Sequence, residues 1–349
     1  MQLIASHGWS LNIADVEGAF LRGDALSPTR GRLFIDLPPG GVPGVAEGSL
    51  IEAVKTVYGL ADAPKAWWNC FSAKLASLGT RASKFDPCLF YYYHNCKLGG
   101  VVSLHVDDLC LGGNKHFHEH VVKPLKDMFP FKHWKVGSGE FLGKQLKQQA
   151  DGSITISQKS YAQQQKGLEI SPERRREKHE LITEEERQQM RGVLGSINWL
   201  VTGSRPDLGA WCSLLQQRVN SATVADLIEV NKLVCLTHDN CSAHVWIRSI
   251  PVSDVQFVML SDAAWANAQG LCSQAGYMID SHWSNQLPIT AVIDCKPVYD
   301  HTQSSTVAVK DKRMAIEMLL VKSDMAKHQV SLRWMATKQM IVDVLTKKG

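Results

Sequence analysis

The chain contains no run of ~18 consecutive apolar residues, so an ordinary membrane-spanning helix is not expected. Its first residues, Met1-Gln2-Leu3-Ile4-Ala5-Ser6-His7-Gly8-Trp9, have neither a basic start nor a long apolar core. A secretory leader is therefore not expected either. The nine cysteines are odd in number and no two are spaced as C-x-x-C. That pattern indicates neither a zinc site nor a disulfide framework. Reduced thiols in an intracellular protein, of cytoplasm or nucleus, are the expectation. Internal repeats and low-complexity tracts are missing too. Neither sign of charge dominates: 38 Lys and Arg stand against 34 Asp and Glu, a net +4. This balance permits a nucleic-acid partner without demanding one. What remains is 349 residues, 44% hydrophobic, enough for two or three globular domains.

The most informative feature present is a pair of carboxylates inside an apolar run, Val101-Val102-Ser103-Leu104-His105-Val106-Asp107-Asp108-Leu109-Cys110-Leu111. An ionised carboxylate withdrawn from water costs several kcal/mol unless something pairs with it. Two side by side repel, and a divalent cation is the simplest remedy. Carboxylate oxygens are preferred ligands of Mg²⁺, which also keeps waters and substrate phosphates in its shell. The pattern predicts a β-hairpin with the acidic pair at its tip. A solvated turn carrying two aspartates is the plain alternative.

Around this pair, residues 1–165 mix short apolar runs with turn signals. A run over 11–14 ends at Asp15. Residues 32–37 alternate and stop at Pro38-Pro39-Gly40-Gly41. Residues 49–57 alternate as a strand. Pro64 opens a helix whose Trp67, Phe71, Leu75 and Leu78 form one stripe, and Gly79 stops it. Residues 87–93 and 100–111 read as strands around a loop at 95–99, and 116–129 as a helix. Residues 171–187 carry Glu173-Arg174-Arg175-Arg176-Glu177-Lys178-His179-Glu180 and then Glu184-Glu185-Glu186-Arg187. Such a run reads as a solvated linker or helix face, and a domain boundary is placed there. Residues 188–237 look helical, broken at Arg205-Pro206-Asp207. Strands return at 255–260, 276–279, 289–293 and 330–334, with a helix over 310–328.

The motifs together resemble a known family. Asp15-Val16-Glu17-Gly18-Ala19-Phe20-Leu21, then Tyr58-Gly59-Leu60 with Ala63-Pro64 and Trp67, then Leu104-His105-Val106-Asp107-Asp108 resemble the reverse transcriptase of copia-type LTR retrotransposons. Phe141-Leu142-Gly143, Leu194-Gly195-Ser196 with Trp199-Leu200, and Ser204-Arg205-Pro206-Asp207 look like its thumb and connection. Ser261-Asp262-Ala263-Ala264-Trp265-Ala266, Asp294-Cys295-Lys296 and Val342-Asp343-Val344-Leu345-Thr346-Lys347 are similar to its RNase H domain. The resemblance covers almost the whole chain, and six or more motifs in order make coincidence improbable.

The resemblance implies an α+β protein in three parts. Residues 1–170 would form a palm and thumb, with an antiparallel sheet backed by helices. Residues 171–250 would be a charged linker and helical connection, and 251–349 a partial RNase H-like domain. It implies an RNA-directed DNA polymerase working by the two-metal scheme, in which paired Mg²⁺ (or Mn²⁺) ions clamp the attacking and leaving oxygens. Asp15, Asp107 and Asp108 would be the metal ligands, meeting at one edge of the palm sheet. Taken alone, Asp15 reads as a turn or N-cap residue. Phe20 resembles a steric gate against a ribose 2′-hydroxyl, the group that separates RNA from DNA; its plain reading is a core aromatic. Tyr58 and Gly59 resemble the element supporting template and incoming nucleotide. Trp67 and Phe71 read as core. The implied partners are an RNA/DNA primer–template and deoxynucleotides. His105 departs from the Tyr more usual before Val-Asp-Asp. It could meet a primer end, or be a satisfied strand histidine.

Two further departures bear on activity. Asp15 comes only fourteen residues after Met1, with no Lys or Arg before it, so the family's basic fingers are expected to be missing. Phosphoryl transfer depends on the positioning and charge neutralisation such groups supply. Asp262, Asp294 and Asp343 match three of four RNase H carboxylates, yet no Glu falls between Ala263 and Ile293. Residues 281–288 run straight between strands, as if a helix were lost. RNase H activity is expected to be absent. A degenerate remnant with weak phosphate-mediated nucleic-acid binding is the alternative to a working polymerase. A host binding protein reusing the scaffold is the third reading.

Overall fold

The structure is a computed structural model that describes residues 1–26, 31–254, 257–261, 265–268, 271–272, 289–293, 296–304, 319, 322–323, 325–326 and 330–335. It divides into two compact units, Met1–Thr155 with Ile247–Ser249, and Ile156–Trp246 with Ile250–Gly349. The division falls ahead of the charged run. Among the described residues no helix is long and apolar enough to cross a membrane.

The first unit begins with α1 (Gln2–Ser6) and β1 (Asn12–Val16), followed by the hairpin β2 (Leu33–Asp36) and β3 (Leu50–Ala53). Helix α2 (Ala63–Ser77) follows, then β4 (Thr80–Ala82), β5 (Leu89–His94), β6 (Lys97–His105) and β7 (Asp108–Gly113). A six-stranded antiparallel sheet runs in the order β4-β5-β6-β7-β1-β8, closed by β8 (Phe131–Val136). Strand β1 lies inside this sheet. That is why Asn12, Ile13, Ala14 and Val16 are all buried and its apolar pattern does not alternate.

One face of the sheet is covered by helices. Trp67, Phe71 and Leu75 of α2 pack with Ala14, Leu104, Leu109 and Leu111 of the strands. Leu78, the fourth member of the stripe, packs partly buried at the rim. The expected helix over 116–129 forms in three pieces: α3 (Lys115–Phe117), a π turn over His118–Val122, and α4 (Lys123–Met128). Pro124 in the first turn of α4 has no N–H to give the preceding turn, which accounts for the irregularity. Phe117 presses on Gly113, where any Cβ would collide with its ring. The hairpin β9 (Ser138–Phe141) and β10 (Lys144–Gln148) follows β8.

Strand β11 (Ile154–Ser157) leads into the second unit, with α5 (Lys159–Gln163), α6 (Glu184–Gly203), α7 (Gly209–Arg218) and α8 (Val224–Asp239). Met190, Leu194 and Ile197 repeat along α6 and pack with Cys212 and Leu215 of α7 and Leu227, Val230 and Leu233 of α8. The charged run is not a free linker. Arg174 pairs with Glu177 at 2.8 Å and with Glu186 at 2.9 Å, and donates to the Leu181 carbonyl. Ile182 N–H donates to the Ala222 carbonyl at 3.1 Å. The run's charges are complementary, and Glu186 belongs to the Thr183 capping box that starts α6, so the segment is held to the helices. Arg205, expected as a helix break, is 1% exposed. Its guanidinium meets Asp207 at 2.8 Å and the Asn240 carbonyl just past α8 at 2.9 Å. After β12 (Val245–Ile247) come β13 (Phe257–Ser261) and the short pair β14 (Trp265–Ala268) and β15 (Leu271–Cys272). Then follow β16 (Ile289–Ile293), α9 (Lys296–Gln303) and β17 (Val330–Trp334). Strands β13, β16 and β17 form a parallel sheet in that order. The expected strand over 276–279, the suspected helix loss at 281–288 and most of the helix over 310–328 lie outside the described residues.

Candidate active site

The acidic pair sits where the sequence places it, at a hairpin tip. His105 pairs with Asp108, leaving Val106 and Asp107 as a two-residue turn between β6 and β7. Val106 has φ 55° and Asp107 does not share the positive φ, the pattern of a type II′ turn. A β-branched residue is costly there, on the order of 1–3 kcal/mol. The turn is held from below. The indole N–H of Trp67 donates to the Val106 carbonyl at 2.5 Å. Trp67 is therefore core, as expected, and also the tie between α2 and the tip.

The register brings Asp15 to the pair. Asp15 lies directly opposite Asp108 across β1 and β7. Val16 N–H donates to the Asp107 carbonyl at 2.9 Å, so Asp15 and Asp108 form the non-hydrogen-bonded pair beside it. Such pairs stand about 4.5 Å apart at Cα with side chains on one face. Ala14 and Leu109 turn into the helix-covered core, so this is the opposite face. All three aspartates are half-buried. They meet at the ends of interior strands, not along a lateral strand of the sheet.

Electrostatics at the tip are only partly compensated. Burial pushes the Asp108 carboxyl above its ordinary value, and the charges of Asp107 and Asp15 push it further. A hydrogen bond from the Leu142 N–H and the nearby His105 oppose this. Among the described residues no Lys or Arg forms an ion pair with any of the three aspartates. Like charges held together without a cationic side chain suit a divalent ion completed by waters and phosphates. By themselves no three or more His, Cys, Asp or Glu side chains among the described residues are set to hold an ion.

Beside the tip lies a cleft of about 670 Å³ bordered by Phe20, Trp67, His105, Val106 and Leu142. Phe20 is only partly buried, against the core, and its ring is 4.9 Å from that of Tyr58. Tyr58 is 58% exposed. Gly59 has φ +94° with open space where a Cβ would stand, so it is needed for its backbone conformation. His105 is exposed at the cleft rim. Phe20, Tyr58, Asp15, Asp107 and Asp108 all lie in the first unit, and Phe20 lines the cleft while the aspartates do not.

Two contributors were not singled out in the sequence. Leu142 has φ 55° in the turn between β9 and β10 and turns its N–H to Asp108. The Phe-Leu-Gly motif was visible, but not what it would touch. His133 of β8 is the partner of Asp15 on its other side, and no local pattern marks it.

Comparison with known proteins bears on the same region. The family model described as reverse transcriptase (RNA-dependent DNA polymerase) matches residues 1–167. That match covers just under half of the chain. The chain is also similar to two retrovirus-related Pol polyproteins of Arabidopsis thaliana. That from transposon RE2 is 27% identical over 44% of the chain, and that from transposon RE1 22% identical over 78%. They agree with the copia-type resemblance of the motifs. The chain spans 10% and 19% of their own lengths. Two solved foamy viral protease-reverse transcriptases share its fold. One, described in complex with dsDNA, has TM-score 0.52 at 10% identity, covering 94% of this chain and 68% of that one. The dRH form in complex with ds DNA has TM-score 0.51 at 9% identity, covering 94% and 57%. The chain thus has an α+β fold shared with solved reverse transcriptases and a sequence similar to retrotransposon Pol polyproteins. The RNase H-like aspartates Asp262, Asp294 and Asp343 lie outside the described residues.

Proposed function

We propose that the first unit is the palm of an RNA-directed DNA polymerase acting on a primer–template and deoxynucleotides. The observation that carries this reading is the register of Asp15 opposite Asp108, with Asp107 in the adjoining turn. Asp15, Asp107 and Asp108 would hold Mg²⁺ or Mn²⁺. When bound, such ions activate the primer hydroxyl and neutralise the leaving pyrophosphate. The chain's own residues orient the reaction. The β6–β7 turn, fastened by Trp67, presents Asp107 and Asp108, while β1 presents Asp15. Phe20 at the cleft wall would exclude a ribose 2′-hydroxyl, and the exposed Tyr58 beside it would support the nucleotide or template base, with Gly59 allowing close backbone approach. Nucleic acid as partner is supported by the family and by the complexes the foamy viral structures contain.

Primer extension with Mg²⁺ on purified protein tests the reading. Incorporation that Asp107→Asn abolishes is the expected result. No metal-dependent incorporation by the wild type would reject the polymerase in favour of the degenerate remnant. One observation favours a partial loss: the absence of Glu between Ala263 and Ile293 supports a chain without RNase H cleavage.

A further inference from the structure

The register extends beyond the two facing aspartates. Asp108 pairs with His105 on its β6 side, and Asp15 pairs with His133 on its β8 side. Directly opposed residues in antiparallel strands share a face, with Cβ atoms about 4.5–5.5 Å apart. The four side chains therefore stand in one line across β6, β7, β1 and β8: His105, Asp108, Asp15, His133. The line lies on the face turned away from α2. The strand pairing shifts immediately after Asp15, where Val16 partners Phe131 and Lys132 is left over. A one-residue slip would turn Lys132 to Asp15 in place of His133. The bulge thus selects an imidazole.

We propose that His133 and His105 are positioning residues that hold the carboxylate pair for a divalent ion. The inference rests on the proposed metal-binding role of Asp15 and Asp108. A carboxylate offers about four lone-pair directions. An ion shared between Asp15 and Asp108 uses those turned toward each other, leaving the outward oxygens of each side chain. The Leu142 N–H serves Asp108 from another element. On its outward side Asp15 has His133 as register partner, and Asp108 has His105. An imidazole N–H donated there would fix the carboxylate's rotation. Hydrogen-bonded partners of ligating carboxylates set metal affinity in this way. His105, which departs from the family's usual Tyr, thereby has a role.

The test is direct ion binding, read by the electron paramagnetic resonance of free Mn²⁺ during titration of the full chain. Asp108→Asn is expected to lose the site. His133→Phe, which keeps an aromatic ring but no donor, is expected to weaken Mn²⁺ about ten-fold. His133→Asn, which restores an N–H donor, is expected to return affinity close to wild type. His105 is exposed, so His105→Phe and His105→Asn repeat the comparison with less at stake for folding. If the Phe variants bind as tightly as wild type, or the Asn variants bind as poorly as the Phe variants, the positioning role is overturned while the carboxylate site stands. If wild type binds no Mn²⁺, or Asp108→Asn binds it unchanged, the carboxylate reading itself fails.

Discussion

At the scale of single residues, Asp108 is held against its own charge. Burial and the neighbouring Asp107 and Asp15 raise its carboxyl above the ordinary 3.8. For an acid raised on folding, the linked stability is fully present below the unfolded value and is lost as pH rises through the folded one. At neutral pH the ionised side chain therefore opposes folding. Asp108→Asn is expected to melt higher than wild type at pH 7, with the advantage closing as pH falls toward 4. Thermal melts of both proteins across that range, without divalent ions, check this. A variant less stable at pH 7 would contradict the incompletely compensated charge. Activity should move the other way, the usual exchange between stability and function at a charged site.

At the scale of elements, the hairpin that carries Asp107 and Asp108 depends on a helix packed beneath it. Helix α2 was legible from its stripe: Trp67, Phe71 and Leu75 fall on one side and all three are buried. Its second role was not. The N–H of Trp67 reaches a carbonyl 39 positions along the chain, in a turn whose Val106 sits at positive φ. Trp67→Phe keeps most of the packing but leaves that carbonyl without its donor. The expected cost is about 1–2 kcal/mol, read as a lower urea midpoint, with primer extension reduced further than stability because the turn is freed. Unchanged stability and extension would mean the tie is incidental. The charged run over 171–187 teaches the complementary lesson. Its composition reads as solvated, yet Arg174 is captured by Glu186 of the α6 cap. Partner choice among like-looking charges is set by the fold of the chain, not by the local run.

At the scale of the whole chain, the N-terminal and C-terminal stretches differ in the carboxylates their sequences supply. The N-terminal unit keeps the three aspartates in one place. The C-terminal part shows a parallel β13-β16-β17 sheet but no Glu between Ala263 and Ile293. An RNA/DNA hybrid with labelled RNA, incubated with the full chain and Mn²⁺, is expected to keep its RNA strand intact. A cleavage ladder that Asp262→Asn removes would overturn this.

The sequence by itself determined where the candidate acidic residues lie and most of the elements they sit on. Asp15, the Asp107-Asp108 pair, the α2 stripe and the helix break at Arg205 are all local patterns of charge, period and turn residues, and such patterns are written in neighbouring positions. The tertiary structure alone decided that Asp15 faces Asp108, that Trp67 fastens the Val106 carbonyl, and that His133 stands on the far side of Asp15. These depend on strand order and register, which bring together residues some 40 to 120 positions apart. A shift of one residue would turn each side chain to the other face of the sheet. No local pattern encodes that choice, because it is fixed by the packing of both faces at once.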